Sequence, residues 1–220
     1  MMKRTIFTAL ALAFSACMVL AQNEKYTQAM TASIQALHVL DKAKPDAKAL
    51  LDIANQFERI AAAEPKEWLP KYYAGYSNVI LGFVGTSLEE KDKYLEKAAA
   101  LLKDAETIAG KPNDEISVMQ AFQSQIHLAA DPQNRWEADG AKFAEHLASA
   151  KKINAENPRI YYLEASSVFF TPEEFGGGKK PAKPLLEKAT QKFAAFKPET
   201  NIHPDWGKAE TEWMLAQTNQ

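Results

Sequence analysis

Apolar residues recur at intervals of three and four positions along most of the chain, with polar and charged residues between them. Leu50, Ile53, Phe57 and Ile60 form one such stripe, and later segments repeat the pattern. This spacing places apolar side chains on one face of an α-helix. We find no run in which apolar and polar residues alternate, as they do in a half-buried strand. The sequence therefore predicts an all-α fold.

Helix boundaries are marked by capping residues, prolines and glycines. Asp46 and Asn157 stand where an N-cap is expected, and Ser87 with Glu90 has the spacing of a capping box. We predict about nine helices, the last over residues 204–217. Short turns force neighbouring helices to run antiparallel. The regular rhythm favours a stack of helix pairs over a closed bundle.

Two stretches of the chain nearly repeat each other. Tyr72–Tyr73 is followed by Leu95–Ala98, and Tyr161–Tyr162 is followed in the same way by Leu186–Ala189. Both later segments read Leu-Glu-Lys-Ala. An internal repeat of this length is the signature of a helical repeat array, and such arrays usually bind partners.

Residues 157–198 resemble a tetratricopeptide repeat, with Pro158 at the start, aromatic residues early in the first helix, and Ala182 and Ala189 as small residues in the second. Residues 65–107 look like a second copy. The resemblance implies a tetratricopeptide-like antiparallel helix-pair solenoid, or α-α superhelix, of about four pairs plus a terminal helix. In that family the concave face contacts the partner. The matching positions here are Tyr72, Tyr76, Tyr162 and Ser166.

Two further candidates come from the residues themselves. His127 follows Gln123 by one helical turn, so both are expected to line a groove. The four histidines show no spacing typical of a zinc helix. We therefore expect no metal site, no cofactor and no catalytic residues. Gly176–Lys180 lacks the phosphate-loop spacing, so a tight turn is favoured over an anion site.

The N-terminal segment has the three parts of a secretory signal peptide. Lys3 and Arg4 precede an apolar stretch, and small or branched residues come before Gln22. We predict a signal peptide over residues 1–21, a helical repeat domain over 22–220, and a periplasmic location. A lipid anchor at Cys17, as in a membrane-anchored lipoprotein, is the alternative. Cys17 is the only cysteine, so the mature chain would contain no disulfide.

Charge excludes one class of partner. The chain has 26 basic and 28 acidic residues, interspersed along the predicted helices. Nucleic-acid binding would need a concentrated basic face, so no nucleic-acid partner is expected. The mature chain also has no apolar run long enough to cross a membrane.

These observations favour a non-enzymatic periplasmic scaffold that holds a protein or peptide partner in a concave groove. The alternative is a protein that binds a small molecule, such as a nutrient, and is associated with a transporter. An enclosed pocket would favour the small molecule, and an open groove would favour the peptide. An enzyme is the third hypothesis, and nothing in the sequence points to it.

Overall fold

The computed structural model describes residues 24–40 and 45–219. Within these residues there are nine α-helices and no strand, which confirms the all-α prediction and the number of helices. They are α1 (24–38), α2 (Ala47–Ala63), α3 (Leu69–Val84), α4 (Leu88–Ala109), α5 (Asp114–Ala130), α6 (Pro132–Ile153), α7 (Pro158–Phe170), α8 (Lys179–Ala195) and α9 (Lys208–Gln217). The predicted signal peptide and Cys17 lie outside the described residues. None of the described helices combines the length and the apolar character needed to span a membrane.

The predicted caps form with one difference. The side chains of Asp46, Ser87 and Asn157 each accept a hydrogen bond from backbone N–H groups in the first turn of the helix that follows. The carboxylate of Glu90 does not reach back to Ser87, as it would in a capping box. It accepts hydrogen bonds from the backbone and hydroxyl of Thr86 instead. The Glu90 carboxylate therefore bonds the residue before the N-cap, and not the N-cap itself.

The helices are arranged in two layers. Helices α3, α5, α7 and α9 contact one another in succession and form an inner layer. Helices α4, α6 and α8 form an outer layer, and each of them contacts the two inner helices that precede and follow it in the chain. This is the topology of stacked helix pairs, with α9 as the terminal helix. It agrees with the predicted solenoid of four pairs.

Glycines allow α3 and α4 to approach closely. A Cβ atom added at Gly82 would lie 2.5 Å from Leu95 Cγ, and one added at Gly75 would lie 3.1 Å from Leu102. The two glycines lie two turns apart on the face of α3 that meets α4. Ala98 on the opposing helix is fully buried.

The connection between α7 and α8 is the predicted tight turn. It contains a short 3-10 helix, Glu173–Phe175, and Gly176 and Gly178 adopt φ values of 83° and 100°. Gly177 has no room for a side chain, because a Cβ atom there would lie 2.2 Å from the carbonyl oxygen of Thr171. These positions need glycine for backbone reasons.

The last helix begins later than predicted. Gly207 adopts a φ of 99°, so α9 starts at Lys208 and Trp206 is not helical. Residues 196–207 form an extended connection between α8 and α9, which we call the strap. The strap crosses the inner layer and therefore covers part of the face on which a partner was expected.

Candidate functional site

The strap inserts an indole ring into the inner layer. The ring of Trp206 stacks on Tyr76 and Phe122, with centroid distances of 5.2 and 5.4 Å, and meets Tyr162 edge-on at 5.9 Å. Its Nε1 donates a hydrogen bond of 2.7 Å to the hydroxyl of Tyr72. Aromatic contacts from α3, α5 and α7 therefore converge on one side chain of the strap.

Four of the six predicted site residues lie on this inner face. Tyr72, Tyr76, Tyr162 and Ser166 are all buried, with exposed fractions between 0% and 8%. The tyrosines contact the strap, and Ser166 exchanges hydrogen bonds with Gln125. Burial raises the pKa of all three tyrosines. The strap therefore covers the face on which a peptide was expected. The role of these four residues in contacting a partner stays a prediction.

A buried ionic cluster anchors the strap beside the indole. The guanidinium of Arg159 donates two hydrogen bonds to the carboxylate of Glu115, one of them from Nε at 2.8 Å. Asn157 donates to the same carboxylate at 2.9 Å, and His203 of the strap lies 3.4 Å from it. The guanidinium also lies 4.7 Å from the ring centroid of Phe196. The strap is thus joined to α5 and α7 by charge as well as by stacking.

The charged groups around the strap lower the pKa values of two carboxyl groups, Glu115 and Asp205. Burial alone would raise the pKa of Glu115, but the charge of Arg159 and hydrogen bonds from His203 and Arg159 lower the pKa below its ordinary value. A second pair, His38 Nε2 and Asp205 Oδ1 at 3.1 Å, ties the strap to the end of α1. The pKa of Asp205 is lowered in the same way, because the hydrogen bond and charge of His38 outweigh desolvation.

The other two predicted residues line a separate cleft, between α4 and α6 with α5 as its floor. Its volume is about 300 Å³. Gln123 donates to the backbone carbonyl of Leu95 at 3.2 Å, and Nδ1 of His127 lies 2.6 Å from Oδ2 of the buried Asp139. Residues 123 and 127 therefore face the outer layer, whereas Ser166 and the tyrosines belong to the inner one. The six predicted residues do not form one site.

Charged side chains surround this cleft. Arg135 binds Asp92 through two hydrogen bonds of 2.7 Å, and the other oxygen of Asp139 accepts from Lys142 at 3.1 Å. Burial lowers the pKa of His146, which lines the same cleft. Among the described residues, no group of three His, Cys, Asp or Glu side chains is placed to hold a metal ion. The cleft therefore offers ordered polar groups rather than a metal site.

A third surface consists of exposed aromatic rings at one end of the molecule. Phe169 and Phe170 end α7, with their centroids 5.0 Å apart, and Trp213 of α9 lies 6.2 Å from Phe169. Phe170 is 68% exposed and Trp213 is 55% exposed. We call these three residues the aromatic platform. The sequence analysis missed it, because Phe169 and Trp213 become neighbours only through the packing of α7 and α9.

Comparison with known proteins identifies one similar solved structure. The HusA haemophore from Porphyromonas gingivalis matches with a TM-score of 0.75 and 32% sequence identity, over 88% of this chain and 92% of that one. No family model matches the chain, and no curated protein does. Membership in the tetratricopeptide family therefore stays a prediction, although the helix-pair topology agrees with it.

The comparison corrects the expected partner. A haemophore is a protein that binds haem, which is a small molecule. The prediction of a protein or peptide as the most favoured partner is therefore wrong, and the small-molecule alternative is the better supported one. With this degree of identity over nearly the whole of both chains, the protein belongs to the family of the HusA haemophore.

Proposed function

We propose that this protein binds haem, or a closely related porphyrin, as a binding protein without catalytic activity. The observation that carries the proposal is the 32% identity to a haemophore over 92% of that protein's length. The covered inner face also supports a small ligand, since the strap occupies the surface that an extended peptide would need. The transporter association expected with this alternative remains a prediction.

We also propose that the protein acts after export. The predicted signal peptide over residues 1–21 supports this, because a charged start followed by a short apolar stretch is typical of secreted proteins. Mass spectrometry of the protein recovered from the cell envelope should give an N-terminus at or near Gln22. A chain that retains Met1 would contradict export by this route.

Haem binding is tested by titrating the purified protein with haemin. Binding in a defined site should change the haem absorbance spectrum and quench tryptophan fluorescence, with saturation at a fixed ratio of haem to protein. The same titration with metal-free protoporphyrin separates contacts to the macrocycle from ligation of the iron. The heat-unfolded protein is the control for nonspecific adsorption. A folded protein that gives no more signal than the unfolded one would overturn the proposed function.

A further inference from the structure

The aromatic platform combines apolar rings with exposure, which soluble proteins usually avoid in contiguous patches. Phe170 and Trp213 are both more than half exposed, and Phe169 joins them through ring contacts. Isolated exposed aromatics are common, but contiguous ones usually mark a binding surface. Phe169 and Phe170 end α7 and Trp213 lies in the middle of α9, and the ring of Phe169 contacts both exposed rings.

The platform rests on well-packed structure. Met214, the neighbour of Trp213, is buried, and Thr211 is fully buried and donates a hydrogen bond of 2.7 Å to the carbonyl of Gly207. Val168 and Leu215 pack against the core on the inner side. The exposed rings are therefore held by rigid helices, and binding there would require little ordering of the backbone.

Positive charge lies beside the rings. The backbone N–H of Gly178 donates 2.9 Å to the carbonyl of Val168, which brings the start of α8 next to the end of α7. Lys179 and Lys180 are exposed on this first turn, and no ion pair of theirs occurs in the part of the chain that the structure describes. The positive end of the helix dipole adds to their charge.

Other charges at this end of the molecule are nearly balanced. Lys183 donates 2.8 Å to the side chain of Asn219, just beyond α9, so this lysine lies close to the C-terminal end of that helix. Glu173 and Glu174 of the 3-10 turn are exposed and contribute the opposite charge. Lys208, Glu210 and Glu212 of α9 add one positive and two negative charges, so the charges at this end balance and the ammonium groups of Lys179 and Lys180 are a local feature.

The chemistry of haem fits a surface that combines exposed aromatic rings with ammonium groups. Its macrocycle is flat, aromatic and apolar, and two carboxylate groups extend from one edge. Flat aromatic ligands gain contact area by stacking on or meeting protein rings, and carboxylates pair with ammonium groups. We propose that haem binds on the aromatic platform, with its ring face against Phe170 and Trp213 and its carboxylates toward Lys179 and Lys180. This proposal rests on the proposed function.

The cleft between α4 and α6 fits haem less well. Its lining includes Glu96, Gln120, Gln123 and Lys142, which would leave an apolar macrocycle against polar groups. Nδ1 of His127 is engaged by Asp139, and Nε2 faces Asp92 at 3.7 Å. An iron atom would have to separate this histidine from the second aspartate. The cleft is therefore the alternative that the experiment must exclude.

The test compares haemin and protoporphyrin affinities of designed variants. A Phe170→Ala, Trp213→Ala double variant should raise Kd by about tenfold or more, since aromatic anchors commonly contribute this much each. A Lys179→Ala, Lys180→Ala double variant should raise Kd less, by about threefold, and should make binding less sensitive to salt. Trp136→Ala is the matched control, because this tryptophan is 66% exposed on α6, outside the platform, and we expect no change.

The outcomes separate the site from the function. If the wild-type protein binds haem and the aromatic double variant, shown to be folded by circular dichroism, binds equally well, the platform is not the site although the proposed function stands. If His127→Ala abolishes binding while the platform variants do not, the cleft is the site. If the wild-type protein does not bind, both proposals fail.

Discussion

Glu115 shows how one buried charge can be made compatible with a folded interior. Its carboxylate is only 2% exposed, and an unpaired charge in this environment would be strongly unfavourable. Hydrogen bonds from Arg159 and Asn157 and the proximity of His203 offset that cost. The same residues belong to α5, α7 and the strap, so the carboxylate also determines how these three parts meet.

The lowered pKa of Glu115 predicts a stability that depends on acid. A group with a lowered folded-state pKa contributes stability above its ordinary value, here 4.5, and the contribution is lost as pH falls through the lowered value. We expect the wild-type melting temperature to fall as the pH is lowered from about 5 to about 2, roughly the range that brackets such a shift. Glu115→Gln should make the melting temperature less sensitive to pH in this range. At pH 7 the variant should lose about 3–5 kcal/mol, because Arg159 is left unpaired.

The control for this measurement is Glu89→Gln, an exposed glutamate on α4. It should keep the wild-type dependence on pH. An unchanged slope in the Glu115 variant would mean that other carboxylates cause the acid sensitivity.

At the scale of the elements, helix pairing depends on how closely two backbones can approach. The contact of α3 with α4 uses Gly75 and Gly82, where the side chains of Leu102 and Leu95 occupy the space of a Cβ atom. Close packing of this kind leaves no room for added atoms. Glycine is therefore the residue that this crossing requires at its tightest position, Gly82.

Two glycine-to-alanine substitutions test this with opposite expected signs. Gly82→Ala should destabilise the protein by about 1–3 kcal/mol, because the new methyl group must displace Leu95. Gly140→Ala in α6 is the matched control, since the nearest atom to its Cβ is 3.9 Å away. There alanine should stabilise by about 0.5–1 kcal/mol through its helix propensity. Urea unfolding measures both, and equal effects at the two sites would contradict the close crossing.

At the scale of the whole molecule, the strap converts an open array of helices into a closed one. It contacts α3, α5 and α7 through Trp206, and its Asp205 reaches His38 at the other end of the array. The hydroxyl of Tyr73 also donates to the carbonyl of Ile202 at 3.3 Å. The contacts of the strap with α1 and α3 join residues more than 100 positions apart in the chain.

Removal of the Trp206 indole should therefore lower the stability of the whole fold. We expect Trp206→Ala to lose about 3–5 kcal/mol, the usual cost of deleting a large buried aromatic side chain. Trp206→Phe should lose less, since it keeps a ring against Tyr76 and Phe122 but leaves the Tyr72 hydroxyl without its donor. Chemical denaturation followed by circular dichroism gives both values. An alanine variant as stable as the wild type would show that the strap does not close the inner face.

Much of the architecture could be predicted because it depends on local interactions. The spacing of Leu50, Ile53, Phe57 and Ile60 follows from the helical period, and Asp46 and Asn157 cap helices that begin within a few residues of them. The error at α9 has a local cause too, since the left-handed conformation of Gly207 delays the helix beyond Trp206. The candidate site was harder to predict, because it depends on contacts between distant segments.

The sequence by itself determined the helical class, the helix pairs and most of the turns, since these follow from the periodicity and capping of neighbouring residues. Only the tertiary structure decided that Tyr72, Tyr76 and Tyr162 are covered, that Gln123 and His127 face a different cleft, and that Trp213 meets Phe169 at the end of α7. The physical reason is the distance along the chain. A helical period indicates which residues share a face, but the segment that packs against this face is selected by long-range contacts that no local pattern encodes.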